Sequence, residues 1–275
     1  MKSNMKARVI TGAALFLLLT FAVWMGGWVA SVIMVFAVGV AQFEMMRALR
    51  RRGHQNVRWP IWAATVAAIP IFLLWDNILL LPLVVLTALI TTTYVLFHGE
   101  PQLDDIFVSI MPLFCVALPG MCMLAQLQAP ERWMQIMLLC VTFLVPNMGD
   151  MFALFVGRRF GRAKLIPAVS PNKTVAGAVG GLIGSELTAL IIWGVTRLAV
   201  GDAAQFPPFW HFALIGLIGG VVGQIGDLYA SLIKRHCGIK DYGSIFPGHG
   251  GMLDRLDSTL PVAVIIYLYQ TLMMW

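Results

Sequence analysis

The chain has 275 residues, of which 59% are hydrophobic and only 12% charged, with a mean hydropathy of +0.83. Ordinary soluble domains carry about 25% charged and about 45–50% apolar residues, so this composition excludes a soluble globule and predicts an all-α polytopic membrane protein. The formal net charge of +6 reads as membrane-topology charge, and with no soluble basic domain to carry it, nucleic acid is not an expected partner.

A membrane-crossing helix needs about 20 apolar residues. In chain order, nine runs approach that length, at roughly 9–24, 27–46, 59–75, 78–97, 106–127, 134–157, 176–200, 210–233 and 258–274. They are continuous, without the apolar–polar alternation that a β-barrel strand requires. Lys2, Lys6 and Arg8 precede the first run. Apolar character then continues to Met46 with no small-residue cleavage site before a soluble domain, so the run reads as an anchor rather than a removed signal. With the N-terminus in the cytoplasm and nine spans, every Lys and Arg except Arg132 and Arg197 falls on the cytoplasmic side. That is the bias expected of cytoplasmic loops, and it places the C-terminus outside. The four cysteines, Cys115, Cys122, Cys140 and Cys237, lie scattered in apolar stretches and read as small buried hydrophobes.

Composition shifts along the chain. Residues 1–140 form a hydrophobic multi-span region, whereas 141–275 combine spans with polar loops and clustered glycines. Ionisable residues inside spans are costly and therefore functional candidates. Asp150 follows Pro146-Asn147-Met148-Gly149, where a weakened helix could open backbone groups to a polar cavity. Asp227 ends a glycine-rich run, Gly219-Gly220-Val221-Val222-Gly223-Gln224-Ile225-Gly226, suited to close helix packing and ligand access. Glu186 reads as an interhelical hydrogen-bonding residue. Glu44, beside Arg47 at a helix end, reads as an interfacial residue.

The densest polar stretch follows the eighth run, from Ser231 to Ser258. Lys234, Arg235, Lys240 and Arg255 supply charge suited to phosphate oxygens. Pro247-Gly248-His249-Gly250-Gly251 is a turn whose backbone N–H groups could cradle an anion. Asp241, Asp254 and Asp257 are hard oxygen donors of the kind Mg²⁺ accepts together with substrate phosphates. If the last helix begins near Met252, Asp254 and Asp257 share one face, with Asp227 arriving from the preceding helix. These residues point to metal-assisted phosphoryl or nucleotidyl transfer near lipid headgroups. A generic lipid-binding basic loop would account for Lys and Arg, but not for the glycines and aspartates.

The pattern Ser231-x-Ile233-Lys234-Arg235-x4-Lys240-Asp241-x-Gly243-x2-Phe246-Pro247-x-His249-Gly250-Gly251-Met252-x-Asp254-Arg255-Leu256-Asp257 resembles the motif of the phosphatidate cytidylyltransferases, or CDP-diacylglycerol synthases. The resemblance extends upstream through Gly223-Gln224-Ile225-Gly226-Asp227, and through Asp150, Gly157, Phe160, Gly161, Lys164, Pro167, Ser170-Pro171-x-Lys173-Thr174 and Gly177. It covers roughly 147–275, and the chain departs from the family pattern at Phe152, Leu154 and Ala176. It implies that Asp227 and Asp254 hold a catalytic Mg²⁺, with the presence of a second cation left open. Asp150, Lys173, Lys240, Asp241, His249, Arg255 and Asp257 would shape the surrounding site. Ser170, Lys234, Arg235, Gly250 and Gly251 are further substrate-binding candidates, although Lys234 and Arg235 could equally anchor a helix end to headgroups.

The implied reaction is CTP plus phosphatidate giving CDP-diacylglycerol and pyrophosphate. It would be carried by positioning and electrostatics rather than by a protein nucleophile. For His249 three roles stay open: hydrogen bonding to phosphate, shaping the turn, or acting as base. The implied setting is a bacterial inner membrane with membrane lipids around the protein and the site facing the cytoplasm. Oligomeric state is open, a homodimer included. Two other readings are a CTP-dependent enzyme acting on another lipid phosphate or a polyprenol, and an ion-coupled transporter. Transport would favour repeated halves with matched broken helices, which the sequence does not display.

Overall fold

The computed structural model describes residues 12–14, 17–18, 20–50, 57–75, 79–98, 100, 102–201, 206–246, 248 and 250–273. They are overwhelmingly helical. Among them, five helices are long and apolar enough to cross a membrane: Gly27–Arg50, Leu103–Gln128, Arg132–Phe160, Val175–Val200 and Phe209–His236. Leu81–Phe97 and Thr259–Met273 are shorter apolar helices. The molecule is thus an all-α integral membrane protein in its architecture. Part of the first expected run, at 9–11, 15–16 and 19, lies outside the described residues.

The chain divides into two compact units. The first comprises Met1–Gln128 and His236–Leu256. It contains α1 (Gly27–Arg50), α2 (Trp59–Trp75), α3 (Leu80–Phe97), α4 (Leu103–Pro112) and α5 (Leu118–Ala125). Pro112, which lacks an N–H, is followed by a π-helical turn at Leu113–Ala117 that joins α4 to α5 without ending the helix. The core of this unit gathers Met46, Ile61, Ala64, Ala68, Val84, Leu113, Ala117 and Met121. Gly120 lets α5 approach Val38 of α1, since a Cβ there would meet the valine methyls at 2.6 Å. Buried Thr65 donates to Gln42 Oε1 at 2.9 Å, so one polar pair joins α1 to α2 inside an apolar contact.

The second unit comprises Ala129–Arg235 and Asp257–Trp275. It is built on α6 (Arg132–Phe160), α7 (Val175–Val200), α8 (Phe209–His236, all but its last residue) and α10 (Thr259–Met273). Its core includes Met137, Leu138, Val141, Val145, Ala189, Phe212, Ile215, Val262 and Ile266. Apolar association is weak between helices that already sit in hydrocarbon, so close van der Waals approach through small residues must hold them together. Glycines supply that approach. A Cβ at Gly177 would meet the Ala153 carbonyl at 2.8 Å, one at Gly180 would meet Val156 at 2.5 Å, and one at Gly184 would meet Phe152 at 2.5 Å.

Pro146 does not break α6, which runs unbroken from Arg132 to Phe160. Two carbonyls near it also accept from side chains. Ser185 Oγ donates to the Val145 carbonyl at 3.1 Å, and Asn147 Nδ2 donates to the Phe143 carbonyl at 2.7 Å. Between α6 and α7 lies a feature the apolar pattern does not announce, an antiparallel hairpin of β1 (Lys164–Ile166) and β2 (Ser170–Thr174). It pairs Lys164 with Thr174 and Ile166 with Ser170. Thr174 ends the hairpin and caps α7, its hydroxyl accepting the Gly177 N–H at 3.1 Å.

The last helix begins where the run at 258–274 expects it, and the continuous helix from Met252 that would put Asp254 and Asp257 on one face does not form. A short helix α9 (Leu253–Leu256) is followed by a turn at Asp257 and Ser258, and α10 begins at Thr259. Asp257 Oδ1 accepts the Ser258 N–H at 2.9 Å, a local bond that competes with helix continuation.

Candidate active site

In the second unit the polar residues converge on α8. β2 leads directly into α7, and its Lys173 brings Nζ to 2.6 Å from Asp227 Oδ2, with both side chains about a quarter exposed. Lys173 Nζ makes no well-formed hydrogen bond among the described residues, so the contact is a close ion pair. One turn further along α8, Ser231 Oγ approaches Asp227 Oδ1 at 3.5 Å. Lys234 Nζ lies 3.9 Å from Asp257 Oδ2. Gly226 makes room for the Asp257 backbone, because a Cβ there would meet its carbonyl at 2.6 Å. Arg235 is exposed, its Nε 3.5 Å from the Val169 carbonyl in the hairpin turn. Asp150, on α6, is half-buried, and Ser170 opens β2.

In the first unit the loop from Asp241 to Leu253 folds around Asp254. This carboxylate is only 7% exposed. Its Oδ2 accepts two backbone amides, from Tyr242 at 2.8 Å and Gly251 at 2.9 Å. Phe246 and Gly250 close a bridge in which the Phe246 N–H donates to the Gly250 carbonyl at 3.0 Å. Gly250 has φ of 79°, and a Cβ on it would meet Asp254 Oδ2 at 2.9 Å, so both conformation and space call for glycine. Lys240, Asp241 and Arg255 are exposed on this loop and its short helix. His249 lies outside the described residues.

Glu44 is placed quite differently from an interfacial residue. It is 1% exposed, and its Oε2 accepts the Leu253 N–H at 2.9 Å. A turn later on α1, Arg47 Nη2 donates to the Tyr242 carbonyl at 3.0 Å. Sequence reasoning missed this pair because its partners lie some two hundred residues away, at separations of 209 and 195. The available signal was a carboxylate within an apolar run, which already marks a functional candidate.

The donor chemistry fits Mg²⁺ arriving with phosphate. Asp227 and Asp254 offer hard carboxylate oxygens, and Asp254 is oriented by the two amides on it. No group of three or more His, Cys, Asp or Glu side chains gathers among the described residues. Mg²⁺ in general takes one or two carboxylates and completes its shell from substrate phosphates and water. Lys173, 2.6 Å from Asp227, is a cation of the kind that also pairs with phosphate oxygens.

Comparison with known proteins gives this arrangement its context. A family model described as the cytidylyltransferase family matches residues 6–273. A protein named phosphatidate cytidylyltransferase from Bacillus subtilis is 32% identical over 278 residues, covering 96% of this chain and 97% of that protein. One of the same name from Brucella abortus is 31% identical over 274 residues, covering 97% and 93% respectively. Another from Staphylococcus saprophyticus reaches 43% identity over 124 residues, 45% of each chain. With the family model spanning nearly its whole length and relatives of this identity aligned end to end, the chain belongs to the cytidylyltransferase family.

Proposed function

We propose that this protein transfers CMP from CTP to phosphatidate, releasing pyrophosphate and forming CDP-diacylglycerol. The observation that carries the reading is end-to-end similarity to proteins named phosphatidate cytidylyltransferase, joined to a loop folded around a buried aspartate. A phosphatidate oxygen attacks the α-phosphorus of CTP, and the bond to the β-phosphate bridging oxygen breaks, its electron pair leaving with pyrophosphate. The phosphate monoester is itself the nucleophile, so no side chain need form a covalent intermediate.

We assign Mg²⁺ to Asp227 and Asp254, where it would neutralise charge on the triphosphate and the leaving pyrophosphate. The assignment leaves room for a second cation. Lys173, paired with Asp227 at 2.6 Å, keeps an ammonium beside that carboxylate and offers it to a phosphate oxygen. Lys240 and Arg255, both exposed, meet the incoming nucleotide, with Lys234 and Arg235 as further phosphate contacts. The Gly250 and Gly251 backbone, Ser170, Asp150, Asp241, Asp257 and His249 complete the polar surroundings. Catalysis then rests on orientation and pre-placed charge. We locate it in residues 141–275, with 1–140 forming the hydrophobic multi-span region. Diacyl tails stay in the bilayer while CTP arrives from the cytoplasm, so the site faces the cytoplasm, in the inner membrane of a bacterial cell.

The test is one assay in detergent–lipid micelles containing labelled CTP, phosphatidate and Mg²⁺. CDP-lipid and pyrophosphate are the expected products, lost with EDTA and restored by Mg²⁺. Phosphorylated lipid with released CDP would instead identify a kinase-type transfer. Formation of no CDP-lipid, under conditions where a related synthase is active, would sink the reading.

A further inference from the structure

Glu44 belongs to α1, far along the chain from the loop that carries Asp254, yet its carboxylate is buried against that loop. Burying a carboxylate is expensive unless hydrogen bonds compensate. Here the loop backbone compensates one of the two oxygens, while Oε1 is buried without a hydrogen-bond partner among the described residues. Oε2 accepts the Leu253 N–H at 2.9 Å, and the Met252 backbone also engages the carboxylate. Two glycines leave the space it fills, because a Cβ on either Gly243 or Gly251 would run into the Glu44 carboxylate. Arg47, on the same face of α1, holds the other end of the loop through the Tyr242 carbonyl at 3.0 Å. Tyr242 and Gly251 in turn are the two residues whose amides bind Asp254 Oδ2. Helix α1 therefore grips the loop at both ends of the segment that orients Asp254.

We propose that Glu44 is a positioning residue for the reaction: by accepting the Leu253 amide and seating Gly243 and Gly251, it fixes the backbone that holds Asp254. Its action runs through Asp254 and not through substrate. The kinetic side of the idea rests on the cytidylyl-transfer reading above, whereas the loop-holding side does not.

The experiment compares Glu44→Ala, Glu44→Gln and Gly251→Ala with the wild type in full-length protein in micelles. Hydrogen–deuterium exchange reads the loop, and CDP-lipid formation reads the reaction. Glu44→Ala should speed exchange at Tyr242, Gly251 and Leu253. It should also lower kcat about 10- to 100-fold, the range expected when one hydrogen bond to a charged acceptor is lost at a site of positioned groups. The Mg²⁺ concentration for half-activation should rise, with the KM for phosphatidate little changed. Glu44→Gln keeps an acceptor of the same shape, so it should restore slow exchange and most of kcat. Gly251→Ala, whose added methyl displaces the same carboxylate, should speed exchange at Leu253 even if Glu44→Ala does not fold. Unchanged exchange at Leu253 in Gly251→Ala, or in a folded Glu44→Ala, would overturn the proposal, as would a Gln variant no better than Ala. A wild type that makes no CDP-lipid would sink the enzymatic reading while exchange still decides whether Glu44 holds the loop.

Discussion

Asp254 carries two tasks that a single substitution can separate. Its Oδ2 receives the Tyr242 and Gly251 amides, and in the proposed reaction its charge also serves the cation. Asp254→Asn retains a carbonyl oxygen for the amides but removes the charge. We expect normal membrane yield with activity reduced by about 10²-fold or more, since charge stabilisation by a catalytic metal amounts to several kcal/mol and each ~1.4 kcal/mol is tenfold. An Asn variant with wild-type turnover would remove Asp254 from the metal site. Lys173 offers a second case. Truncating it to Ala leaves Asp227 without the ammonium now 2.6 Å away. A loss of kcat/KM for CTP of about tenfold or more is expected, as charge-assisted hydrogen bonds to phosphate are among the strong ones. Steady-state kinetics with CTP varied would check it, and an unchanged kcat/KM would confine Lys173 to a structural ion pair.

At the scale of elements, the crossing of α6 and α7 depends on backbones meeting without side chains between them. Gly177 sits where a Cβ would face the Ala153 carbonyl at 2.8 Å and the Gly157 Cα at 3.3 Å. Both neighbours are backbone and cannot swing aside. Gly177→Ala should therefore cost about 1–3 kcal/mol, the usual range for overpacking, seen as a lower thermal midpoint in detergent. A midpoint within error of wild type would mean that the helices part easily at this crossing. The same crossing carries the Thr174 cap on the Gly177 N–H. Because Lys173 immediately precedes Thr174, helix start and ion pair are set by one short strand.

For the whole molecule, topology is the property that positive-inside charge predicts and that fusion reporters can read. With nine spans and a cytoplasmic N-terminus, a phosphatase joined after Trp275 should be active and a fluorescent protein there dark. The reverse result would overturn this combination of nine spans and a cytoplasmic N-terminus. A reporter inserted within the Arg158–Lys173 region should behave as cytoplasmic, because Arg158, Arg159, Arg162, Lys164 and Lys173 cluster there.

Length and hydropathy were legible along the chain because a membrane demands long apolar helices, and that demand is local. Helices Arg132–Phe160, Val175–Val200 and Phe209–His236 stand where apolar runs predict them. The polar motif from Ser231 to Asp257 was equally plain, its charges and glycines being dense within a short stretch. What folding alone decided is which distant groups meet. No local pattern could show that Lys173 would reach Asp227 or that two loop amides would bind Asp254. Least of all could it show that Glu44 would bury its carboxylate against Leu253, 209 residues away. A carboxylate in an apolar run announces that it needs a partner, but the partner's identity depends on tertiary packing, which brings remote backbone amides within hydrogen-bonding reach.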